Sequence, residues 1–205
     1  MLTILKRLFG NPKTEADRDA FRRAISIDVS GPEFRDLYPT FEDIQQRLRS
    51  AQIFRDAAIA WMARAAHSKI GAGVASGGGV IAIVRAGQLL SKDELKVLGL
   101  HQSRKVGADF IAALDGADAG RAISQLEVIL NTATVHAKHL HDLRRMEEAG
   151  ITHCRLLSAL DERGTEVERT FDGQKFTIEE ARRFAIEHQA DIRRSVFQAI
   201  VPGFA

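Results

Sequence analysis

With 205 residues, 45% of them hydrophobic and 27% charged, the chain can bury a sizeable core without disulfide or metal staples. A net charge of +2 gives no reason to expect nucleic-acid binding from totals alone, so any basic face has to come from clustering. The single cysteine, Cys154, excludes an internal disulfide and fits a reducing compartment, and no run approaches the roughly 18 apolar residues of a membrane-spanning helix.

In chain order, Leu2 to Phe9 reads as an amphipathic docking helix ended by Gly10 and Pro12, and lacks the order of a secretion signal. Membrane-surface attachment through it is a minor alternative. Thr14 to Ile25 reads as a second short helix. Thr40, three residues before Asp43, opens a helix expected to run to about Lys69, with Phe41, Ile44, Leu48, Ile53, Ala57, Ala60, Trp61 and Ala65 on its apolar face.

The glycine-rich stretch Gly71 to Gly79 reads as a linker or strained turn that divides the chain near residue 75. As a phosphate-cradling loop it lacks the Gly-Lys-Ser/Thr ending and a preceding strand pattern. Ser91 and Glu94 form a capping box for a helix from Lys92, interrupted at Gly99 and resumed from Arg104 to Leu114.

The longest pattern covers residues 118–149. Ile123, Leu126, Leu130, Ala133, Ala137 and Leu140 are spaced 3, 4, 3, 4 and 3, a heptad seam that suits a bundle core or, less simply, a contact between copies of the chain. On it His136, His139 and His141 lack the spacing of a zinc site, so solvent-facing histidines are the simpler expectation. After Gly150, His153 and Cys154 begin a predicted strand. Adjacent strand residues point to opposite faces, so His153 is badly placed to activate Cys154, which reads as a buried structural cysteine.

Asp172-Gly173 then separates two short apolar runs, a local hairpin signal because glycine accepts positive φ. Thr177 with Glu180 is another capping box, opening a last helix from Ile178 to Ile200 that ends at Pro202-Gly203. The fold expected is mainly α with a small antiparallel β-hairpin near the C-terminus, a helical bundle plus a hairpin knuckle. Its regions are an N-terminal helical part (1–75), a second helical part (76–150), and the hairpin with the last helix (151–205).

Residues Asp161, Glu162, Arg163, Phe171, Asp172, Gly173 and Phe176 keep the spacing of a motif in the phage head-morphogenesis family, the minor head proteins of the Mu F type. The segment resembles that family's C-terminal module. Members often carry Asp-Glu-Arg-Thr-Cys-x-x-Cys at its start. Here Thr165 and Glu168 occupy the two cysteine positions, and the tryptophan and cysteine-rich tail of many members are missing as well. In relatives the cysteines look like a zinc knuckle. Their loss implies no metal and no cofactor here, with the knuckle held instead by the hairpin, by Phe171 and Phe176 packing inward, and by ion pairs.

The resemblance implies a non-enzymatic protein of the virion or host cytoplasm, a minor component assisting head assembly by binding portal or capsid protein. No catalytic residue is assigned. A toxin-like effector or enzyme on the same module, with Asp161, Glu162 and His153 near a cleft, is the first alternative, and a generic helical adaptor the second. DNA contact through Arg144, Arg145, Arg155, Arg182, Arg183, Arg193 and Arg194 has to be weighed against the interleaved acids Glu179, Glu180, Glu187 and Asp191, which suggest a solvated mixed-charge face.

Overall fold

The computed structural model describes residues 38–70, 76–159 and 161–201. The helices expected at Leu2 to Phe9 and Thr14 to Ile25, glycines 71 and 73, and the Pro202-Gly203 stop lie outside those residues.

Helix α1 spans Phe41–Ser50, with the Thr40 hydroxyl accepting from Asp43 N at 3.1 Å and Ile44 and Leu48 buried one turn apart. It does not continue to Lys69. Gln52 takes a φ of +52°, and the chain turns so that Phe54 enters the core. There Arg55 N donates to Ala113 O at 2.8 Å and Asp115 N to Ile53 O at 3.0 Å. The apolar step from Leu48 to Ile53 is five residues, outside helical rhythm, and marks the break. Helix α2, Asp56–Ile70, follows and buries Ile59, Met62, Ala63, Ala66 and Ile70.

The second half of the glycine-rich stretch is helical: α3 spans Ser76–Val84. This corrects the reading of residues 76–79 as connector. Glycine disfavours helix by about 1 kcal/mol per residue, but tertiary packing prevails here. A Cβ at Gly79 would lie 3.2 Å from Leu130 Cδ1 and 3.3 Å from Ala66 Cα, so the missing side chain lets three helices approach.

Two short helices follow, α4 at Lys92–Val97, with the Ser91–Glu94 capping box in place, and α5 at Ala108–Ala112. The latter begins four residues after the expected Arg104. Before it, Gly107 lies against the 85–86 backbone, where a Cβ would come within 1.8 Å of Ala86 O.

Helix α6, Ala119–Glu148, is 30 residues long, capped by Asp118 accepting from Arg121 N at 2.8 Å. At 1.5 Å per residue it extends about 45 Å. Its first half buries Ala122, Ile123, Leu126 and Leu130 in the same core as α1, α2 and α3, and Ala133 is buried one turn farther on. The leading part of the heptad seam therefore faces its own bundle. Farther on Ala137 and Leu140 are half-buried, and His139 and Leu143 turn toward a second core.

That second core lies under a small antiparallel sheet. Strand β1 is His153–Ser158, followed by helix α7 (Glu166–Phe171), strand β2 (Lys175–Thr177), helix α8 (Ile178–Glu187) and strand β3 (Ser195–Ala199). The order is β2-β1-β3, with Cys154 opposite Phe176 on one side and Ala199 on the other. The protein is thus mainly helical with a small antiparallel sheet near its C-terminus.

Two details differ from expectation. Asp172-Gly173 is not a two-residue hairpin loop, because α7 lies between the paired strands. And the last helix stops at Glu187, with residues 195–199 forming the third strand. Alternation explains that strand: Ser195 and Phe197 are buried while Val196 is exposed, a period of two on uncharged residues. Among the described residues no helix is long and apolar enough to cross a membrane.

Candidate functional site: the C-terminal knuckle

Thr165 and Glu168 bond to each other. The Thr165 hydroxyl accepts from Glu168 N at 3.0 Å, and Glu168 Oε2 accepts from Thr165 N at 3.0 Å, a reciprocal capping box that starts α7. Thr165 Oγ1 also donates to Asp191 O at 2.8 Å. Glu168 is only 1% exposed, and its other oxygen accepts from Arg194 N at 2.9 Å and from the Ser195 hydroxyl at 3.1 Å. A buried carboxylate is tolerable when donors surround it. Here three do, from both sides of the knuckle, so one side chain joins α7 to the start of β3.

The network continues inward. Ser195 Oγ lies 3.0 Å from Ser158 Oγ, and His139 Nε2–H donates to Ser195 O at 2.9 Å. His139 stacks edge-on against Phe197 at 5.5 Å. Burial pushes its pKa below the ordinary value, against the pull of the Ser195 carbonyl, so the neutral ring is favoured. The solvent-facing reading of the histidines is corrected here: His139 and His141 are both buried, and His136 is half-buried with its pKa also lowered by burial. They lie where α6 is covered by the C-terminal module, so burial of that helix reaches beyond the six seam positions.

The acidic triplet divides. Asp161 takes both arms of the Arg194 guanidinium, and its Oδ1 also accepts from Arg163 N at 2.9 Å. Arg194 holds its carboxyl well below the usual range, and Asp161 raises Arg194 in turn. The Arg163 guanidinium is more distant, 3.8 Å from Oδ2, and Glu162 is exposed. Asp172 has a ladder role: its Oδ1 accepts from Ser158 N at 2.7 Å, continuing the β1 pairing after the strand residues end. Gly173, at a φ of +74°, donates to Leu156 O at 2.7 Å, while Leu156 N donates to Gln174 O at 3.1 Å. Two residues thus face one, a β-bulge that needs the positive φ glycine provides. The Asp-Gly signal marks this bulge.

Phe171 and Phe176 flank Phe184 of α8, with ring centroids 4.8 and 5.1 Å away, and Phe176 meets Phe197 at 6.4 Å. Phe176 is buried and Phe171 half-buried. Beside β2, Phe176 and Phe184 floor an open groove of about 340 Å³ rimmed by Lys175, Glu180, Arg183 and Glu187. Cys154 is wholly buried and its thiol is pushed up to about 11, while His153 is exposed on the opposite face of β1. Among the described residues no three His, Cys, Asp or Glu side chains converge to hold a metal ion.

Most of the arginines considered for nucleic acid have local partners. Arg144 lies 3.5 Å from Glu148, Arg182 donates to Glu147 at 2.7 Å, Arg155 to Gln198 at 2.9 Å, and Arg193 to Ala190 O at 2.8 Å. Arg194 clasps Asp161. Arg145 and Arg183 are exposed, the latter beside Glu180. This is a mixed-charge surface in which internal and acidic partners compete with phosphate.

Sequence reasoning could have found the Thr165–Glu168 pair, because Thr-x-x-Glu is a helix-start signature. Taking the two residues as lost cysteines hid it. Arg194 and Ser195 could not be found that way once their segment was read as helix. No protein-family model matches the chain, and no curated protein or solved structure is significantly similar to it.

Proposed function

We propose that the chain is a non-enzymatic head-morphogenesis component of a phage or prophage, found in the virion or host cytoplasm, which binds portal or capsid protein through its helical surfaces and C-terminal knuckle. The observation that carries this reading is the clasp at Thr165 and Glu168. Thr-x-x-Glu and Cys-x-x-Cys have the same spacing, so a reciprocal capping box can close the short loop that a bound ion is expected to close in relatives. The acidic triplet leads into that loop, and its Asp161 acts as an internal brace. Such a knuckle presents a rigid surface, which is what a docking element in an assembly requires. DNA contact, if the head role includes it, falls to the exposed Arg145 and Arg183.

The test is co-purification. Expressed with an epitope tag during particle production, the chain is expected in density-purified heads and to retain portal or capsid protein when captured. Its absence from purified particles, with the full amount left in the soluble lysate, refutes the proposal. An activity abolished by D161N or E162Q in a protein that keeps its fold favours the effector alternative.

A further inference from the structure

Strand β3 is an outer strand, and its register shows which of its residues bond inward. Ala159 N donates to Arg194 O at 3.1 Å and Ile200 N to His153 O at 2.9 Å. In an antiparallel ladder bonded pairs alternate, so residues 194, 196, 198 and 200 bond to β1, while Ser195, Phe197 and Ala199 turn their N–H and C=O outward. The Ser195 end is closed, its N–H donating to Ile192 O at 3.1 Å and its C=O accepting from His139. For Phe197 and Ala199 no outward hydrogen-bond partner occurs among the described residues.

The other edge of the sheet is protected. Strand β2 has three residues, begins with Lys175 just after the Gly173–Gln174 bulge, and has its outward Thr177 N–H taken by Glu180 Oε2 at 2.8 Å. These are ways in which natural sheets blunt an edge. Beyond Ser195, residues 196–201, Val-Phe-Gln-Ala-Ile-Val, have none of them: no charge, no proline, no glycine. Val196 is 38% exposed and Val201 44%.

We propose that the β3 edge pairs antiparallel with β3 of a second copy of this chain about a two-fold axis at Gln198, joining two three-stranded sheets into one. In that register Phe197 of one copy faces Ala199 of the other and exchanges the outward backbone bonds, and Val196 faces Ile200, a favourable apolar pair. Arg193 and Arg194 fall beyond Val201 of the opposing strand, so no like charges meet. An uncharged edge offers a different protein no charge pattern to read, whereas it complements itself. This inference does not depend on the head-assembly reading.

The test uses the full chain in sedimentation velocity over a concentration series. A dimer with a roughly micromolar Kd is expected from so small an interface. Because Ala199 N–H makes no bond to β1, A199P should keep the β1–β3 ladder and the thermal midpoint while weakening dimerisation at least about tenfold. V196K/I200K and V196E/I200E should each be monomeric, since like charges then face across the axis, and should form a mixed dimer when combined. If A199P fails to fold, the charge-swap pair still decides. A wild-type chain monomeric throughout, or a dimer untouched by either change, overturns the proposal. So does protection of residues 197–201 from exchange only when another protein is bound.

Discussion

Replacing Glu168 by alanine would leave two backbone donors of the knuckle, Thr165 N–H and Arg194 N–H, without acceptors, while the Ser195 hydroxyl keeps Ser158 Oγ as a partner. A buried donor left unpaired costs about 1 kcal/mol at the low end. The two together imply a loss of about 2 kcal/mol, partly offset because a buried charge disappears with them. Glutamine keeps the side chain's length and one acceptor oxygen but turns an NH2 group toward a donor, so E168Q should fall between alanine and wild type. Urea denaturation followed by circular dichroism measures the stability change. Hydrogen exchange localises it, since amide exchange at Thr165 and Arg194 should accelerate on the order of 30-fold while core amides of α6 change less. If E168A stays within about 0.5 kcal/mol of wild type, the clasp is not what joins α7 to β3.

Further outcomes follow from other parts of the structure. His139 has a folded-state pKa below its ordinary value, so the unfolded chain takes up its proton first on acidification. Its contribution is fully present above the unfolded value near 6.5 and is lost as pH falls through and below it. NMR titration should accordingly place the His139 midpoint under 6.5, and H139A should flatten the acid limb of a stability–pH curve. Nothing lies within 4 Å of a Cβ built on Gly77 in α3, so G77A should stabilise by about 0.5 kcal/mol in thermal melts, whereas G107A must push apart the 85–86 backbone and should destabilise by about 2 kcal/mol or more. Phe184 is buried between Phe171 and Phe176, so F184A should cost about 3 kcal/mol in the same melts.

What the amino-acid sequence determined by itself is local. Thr40, Ser91, Asp118 and Thr177 stand at the N-termini of helices because their side chains satisfy orphan amides within three residues, an interaction that needs no tertiary partner. The long helix was legible for the same reason: its apolar rhythm persists over many turns. Only the tertiary structure decided the rest. Gly77 to Gly79 are helical because Gly79 lets α2, α3 and α6 close on one another. His139 is buried because the C-terminal module covers the second half of α6. Residues 195–199 are a strand because β1 supplies the ladder, and Glu168 is a clasp because that strand brings Arg194 N and the Ser195 hydroxyl to it. Each of these depends on groups far apart along the chain, whose meeting no local pattern encodes.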